Sequence, residues 1–80
     1  MTPERLASIR RSFRLTQPQM AALLGVSGER TIRKWEIGER PIPATVDKLL
    51  SLLILSTHST RQIMLRQARL DAGQSQWGAA

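Results

Sequence analysis

The chain has no cysteine, no tyrosine, one phenylalanine and one histidine in 80 residues, and each shortage removes a class of protein. Without thiols there is no disulfide framework and no thiolate metal site, which excludes small secreted scaffolds and zinc fingers together. A single histidine, His58, and six scattered carboxylates form neither a metal-ligand cluster nor an acid–base pair, so the sequence argues against an enzyme and implies no metal and no cofactor. Phe13, Trp35 and Trp77 are too few aromatics to stack the bases of single-stranded nucleic acid. Long apolar runs are also missing. Leu49-Leu50-Ser51-Leu52-Leu53-Ile54-Leu55 falls far short of the ~20 residues a membrane helix needs, and Met1-Thr2-Pro3-Glu4-Arg5 lacks the basic-then-apolar order of a signal peptide. The expectation is a soluble, cytoplasmic protein with no membrane partner.

What the chain does have is positive charge. Twelve basic residues face six acidic ones, giving a formal net charge of +6, and arginine supplies most of the excess. Anionic partners follow, nucleic acid first, because the planar guanidinium grips phosphates and guanine edges in bidentate fashion. Eighty residues allow one small domain with a thin core, for which pairing with a second copy would be stabilising.

Helical signals follow one another along the chain. Thr2-Pro3 reads as a cap and a first-turn proline, and Leu6, Ile9 and Phe13 recur at helical spacing up to about Ser12. Thr16 and Gln19 form a capping box for a second helix, with Pro18 harmless in its first turn, Met20, Ala21 and Leu24 facing inward, and Gly25 ending it. Ser27 is the expected cap of a third helix that buries Ile32 and Trp35 and stops at Gly38. Two prolines then fix a loop in which Ile42 tucks under Trp35 or the next helix. Val46, Leu49, Leu50, Leu53 and Ile54 mark the inward stripe of a fourth helix with Asp47 near its positive end. After the joint Ser56-Thr57-His58-Ser59-Thr60, the residues Ile63, Met64, Gln67, Ala68 and Leu70 suggest a fifth, amphipathic helix ending near Gly73. The expected organisation is a helix-turn-helix domain over residues 1–56, a C-terminal helix over 57–73 that pairs with a twin or caps the core, and a disordered tail over 74–80: an all-α, compact five-helix fold.

The third helix carries the chemistry. At about 100° per residue, placing Ile32 inward puts Arg30 and Lys34 on the opposite side, with Thr31 and Arg33 on the flanks. Arginine and lysine donate to guanine O6 and N7 in the major groove, and threonine can meet a base edge, a thymine methyl or a phosphate. The plainer reading of the same residues is a solvated basic face.

The words Leu15-Thr16-Gln17, Met20-Ala21, Leu24-Gly25-Val26-Ser27, Thr31-Ile32, Trp35-Glu36 and Gly38-Glu39-Arg40-Pro41, in this order, resemble the phage-repressor and Cro-like helix-turn-helix family of DNA-binding transcriptional regulators. With the flanking helices the resemblance covers about residues 4 to 55. It implies a compact helical domain that binds double-stranded DNA, usually as a dimer, and controls nearby promoters. Matched position by position, it places Gln17 and Arg40 on the DNA backbone and Glu29, Arg30, Arg33 and Lys34 on the bases; apart from the resemblance, Arg14 is expected as a further backbone contact and Thr31 as a further base contact. It also implies an internal ion pair between Arg10 and Glu36. Seven residues separate Ser27 from Trp35, one more than the family's common pattern. Counting from Ser27 would give the first contacts to Gly28, Glu29 and Arg30; counting from Trp35 buries Ile32 and leaves Gly28 in an enlarged turn, and this register is preferred.

Two functional readings remain in view. The first is a sequence-specific repressor acting as a homodimer through the fifth helix or the end of the fourth, its recognition helices meeting half-sites about 34 Å apart. The alternative is an antitoxin or adaptor that binds DNA through the same domain and a protein partner through residues 56–80, with Met64, Leu65, Leu70 and Trp77 as the docking surface.

Overall fold

Five helices make up the computed structural model of the chain, which describes the backbone of residues 1–78 and the side chains of residues 1–73. They are α1 (Pro3–Ser12), α2 (Gln17–Leu24), α3 (Glu29–Glu36), α4 (Ala44–Leu55) and α5 (His58–Gly78), with no strand among the described residues. The architecture is all-α. The Cα radius of gyration of 12.1 Å lies close to the ~11.6 Å of a compact chain this long.

Local chemistry sets the ends of the first two helices. The Thr2 hydroxyl accepts the Arg5 backbone N–H at 3.1 Å, with Pro3 in the first turn of α1. Thr16 and Gln19 complete the capping box at α2: the Gln19 N–H donates to Thr16 Oγ1 at 3.2 Å, and the Thr16 N–H donates to Gln19 Oε1 at 2.9 Å. Helices α1, α2 and α3 all finish in the same kind of turn, a left-handed residue followed by a backbone bond reaching back five positions. Those bonds run from Leu15 N–H to Arg10 O (3.1 Å), from Val26 N–H to Ala21 O (3.0 Å) and from Glu39 N–H to Lys34 O (2.9 Å). The left-handed residue is Gly25 (φ 71°) after α2 and Gly38 (φ 78°) after α3, but Arg14 (φ 56°) after α1. An L-residue pays a steric penalty there that glycine avoids.

The start of α3 departs from the sequence reading. Gly28, with extended backbone, occupies the cap position and makes no side-chain cap bond, while Ser27 sits one residue earlier with its Oγ 3.5 Å from Thr31 Oγ1. The extra residue in this turn thus carries Ser27 out of capping reach of the first helical N–H groups. Gly28 lies in the turn and Ile32 is fully buried, as the count from Trp35 requires.

Leu6, Met20, Ile32 and Leu50, one from each of the first four helices, are wholly inaccessible, and Ile9, Leu15, Ala21, Trp35, Val46, Leu53 and Leu65 complete the core around them. Burying such a side chain contributes about 1.5–3 kcal/mol, so these few residues dominate stability. Helix α2 is the hub, packed against both α3 and α5, and α1 packs against α3. Ile42 is half-buried against the core, as are Phe13 and Leu24.

Both C-terminal helices correct the expected stripes. In α4 only Val46, Leu50 and Leu53 are buried, and Leu49 and Ile54 lie on the exposed flanks. The buried line is one residue wide because the core meets this helix along a single seam. In α5 the inward positions are Leu65, Ala68 and Ala72, with Arg61 half-buried one turn earlier. Ile63, Met64 and Leu70 are exposed, as is Gln67, which donates to Asp71 at 2.8 Å. The helix also passes Gly73 and continues to Gly78, through most of the segment expected to be disordered. The possible docking of Trp77 and the fate of residues 79–80 lie outside the described residues.

Candidate nucleic-acid interface

The position of α3 is fixed by a polar tie as well as by its two buried side chains. Glu36, near its C-terminal end, accepts from Arg10 Nε at 2.7 Å through Oε2 and from Arg10 Nη2 at 3.1 Å through Oε1. Gln17 Nε2 donates to the same Oε1 at 3.3 Å. The remaining arm of the guanidinium, Nη1, donates to the Leu15 carbonyl at 3.0 Å. Arg10 therefore joins the end of α1 to the α1–α2 turn and the end of α3, and Gln17 adds the start of α2 through Glu36. The pair is largely shielded, with side-chain exposures of 16% for Arg10 and 9% for Glu36, and a bidentate, charge-assisted geometry of this kind fixes orientation as well as contributing energy. Sequence pattern alone gave no sign of it; the resemblance did, and the structure forms it.

With its inner side held, α3 turns the rest outward. Glu29, Arg30 and Arg33 are exposed, and Thr31 and Lys34 are half-exposed. Arg40, just past the helix, is exposed too. Arg10 is the one basic side chain engaged in a salt bridge among the described residues, and Arg30, Arg33, Lys34 and Arg40 make no side-chain hydrogen bond there either. Their donors are free for an external acceptor. Arg30, Arg33 and Lys34 share one short helix of eight residues, so their charges project from one convex ridge.

The other expected backbone contacts are placed differently. Arg14 is exposed on the turn between α1 and α2. Gln17 is half-buried and spends one amide hydrogen on Glu36, which leaves one N–H for an outside oxygen. It is therefore a structural residue first. Glu29 stands beside the basic ridge as its only acidic member, where it would repel phosphates and favour a donor such as cytosine N4.

No group of three or more potential metal ligands occurs among the described residues, and no described helix is long and apolar enough to cross a membrane. The chain matches no known protein family, no curated protein and no solved structure.

Proposed function

We propose that the protein is a sequence-specific, duplex-DNA-binding transcriptional regulator of the helix-turn-helix type, a repressor that reads the major groove with α3 while α2 lies across the backbone. The observation that carries this reading is the ridge of unpaired Arg30, Arg33 and Lys34 on a helix locked from behind by Ile32, Trp35 and the Arg10–Glu36–Gln17 tie. A merely solvated basic face needs no such anchoring, whereas base reading needs donors held in register. In this reading Arg30, Thr31, Arg33, Lys34 and Glu29 meet base edges, and Gln17, Arg40 and Arg14 meet phosphates.

Pairing with a second copy is part of the proposal. Leu52, Leu55 and Ile63 expose apolar surface around the α4–α5 joint, Leu55 most of all at 84%, and covering it by a twin would bring two α3 ridges onto one palindromic site. The same exposed residues favour a second reading, docking of a different protein on α4 and α5. In that reading Leu65 is not available, because it is buried against the core. Sedimentation of the purified chain separates the two: a self-associating species supports the homodimer, and a monomer that co-purifies with a second protein supports the adaptor.

Selection of bound duplexes from a random library at near-physiological salt tests the proposal. Wild-type protein should enrich a motif with two related halves. Arg33→Ala and Lys34→Ala should relax preference at defined positions at about 1–3 kcal/mol each, while Arg40→Ala weakens all sequences more evenly. Enrichment of no motif, with binding that vanishes as salt rises, would reduce the ridge to non-specific attraction.

A further inference from the structure

A second cluster of cations lies away from α3. Between the end of α1 and the first half of α5 is a cavity of about 270 Å³ whose lining includes Arg14, Arg61 and Arg69, with His58 and Gln62 beside them and Phe13 among the apolar members. Three arginines line it and no carboxylate does. Like charges gathered without an anion repel one another, so an anion that joins them is favoured.

Three details describe how these arginines are held. Arg69 is fixed by donation from Nη2 to the Phe13 carbonyl at 3.2 Å, and Arg61 by donation from Nη2 to the Ser56 carbonyl at 3.2 Å. Both keep further N–H groups uncommitted. The Nε of Arg61 is buried and has no hydrogen-bond partner, an unfavourable state for a charged donor that a shift of the side chain toward an acceptor in the cavity would relieve. Arg14, finally, occupies the left-handed position that glycine fills after α2 and α3, so a long cation is retained at the cavity rim against a backbone preference. The positive end of α5, which starts at His58, adds field of the same sign.

We infer that this cavity binds a phosphate-type oxyanion. The anion's several oxygens can take donors from the α1–α2 turn and from two successive stretches of α5 at once, more than a single carboxylate can. The volume exceeds that of one phosphate group, and Phe13 and Leu65 offer apolar wall to a small organic remainder. Two sources supply this chemistry, a free phosphorylated small molecule and a backbone phosphate of bound duplex.

Titration of inorganic pyrophosphate into the isotopically labelled full chain, without DNA and at constant ionic strength, tests the inference by NMR. Saturable shifts should appear in residues 12–14 and 58–69 and at the side-chain Nε of Arg61, while the Nε signals of Arg30 and Arg33 stay still. Arg14→Gly, which removes a cation and relieves the left-handed strain, should keep the fold and weaken pyrophosphate by about fivefold. Arg66→Gln, an exposed change on the same helix outside the lining, should leave affinity unchanged. Non-saturating shifts spread over all arginines, or Arg14→Gly binding as tightly as wild type, would overturn the site. Because this arm contains no DNA, its failure is distinct from failure of the proposed function. Displacement of pyrophosphate by a short duplex assigns the site to the DNA backbone, and simultaneous binding assigns it to a free phosphorylated molecule.

Discussion

Helices α3 and α5 bury themselves by opposite means. Helix α3 has eight residues and sinks two large side chains, Ile32 and Trp35, so its inner face is marked by size and its outer face by charge. Helix α5 has 21 residues, yet its inward line is Leu65, Ala68 and Ala72, while Ile63 stands outside at 68% exposure. Small residues let it lie close to α2, and closeness rather than side-chain bulk removes the water. The contrast shows that burial follows what lies opposite a position, and hydrophobicity follows burial only when the opposing surface leaves room.

The comparison can be broken most sharply at Trp35. Trp35→Ala should cost about 3–5 kcal/mol, a large part of the ~5–15 kcal/mol available to a small domain, and urea unfolding should show a variant that is marginally folded or unfolded. Next comes the opposite kind of change on α5. Ala68→Leu adds apolar volume and should nevertheless destabilise by about 1–3 kcal/mol, because the contact with α2 has no space for it. A rise in melting temperature for this variant would mean that α5 is held loosely. Smallest are the outward positions: Arg33→Ala and Ile63→Gln should each change stability by no more than about 0.5 kcal/mol, although the first alters DNA preference and the second weakens self-association. If Ile63→Gln unfolds the chain, its side chain packs inside the fold of the single chain and not on the outer face of α5.

The same contrast explains what could be read in advance. Capping residues are local chemistry, so Thr2, Thr16 and the glycines after α2 and α3 placed helix ends correctly, and the bulky Ile32 and Trp35 fixed the face of α3. Ser27 misled because capping depends on a one-residue register, and the enlarged turn gives that place to Gly28. On α5 the expected stripe of Ile63, Met64, Gln67, Ala68 and Leu70 is buried only at Ala68, and Leu65 and Ala72 complete the true line, which the proximity of α2 selects. The outward cations of α3 were legible as a pattern. That Arg10 is withdrawn from this basic population to hold Glu36 was not a property of composition or period, because it joins residues 26 positions apart. Nor could the gathering of Arg14 with Arg61 and Arg69 along one cavity be seen, since it depends on how α5 folds back beside the end of α1.

The division between the tie and the ridge has a consequence for how the protein can vary. Arg10, Gln17 and Glu36 are bound into one another, so a change at any of them must be answered by the others. Arg30, Arg33 and Lys34 answer to nothing inside the fold. Substitutions there cost little stability, so under the proposed function the binding preference can change while the scaffold stays unaltered.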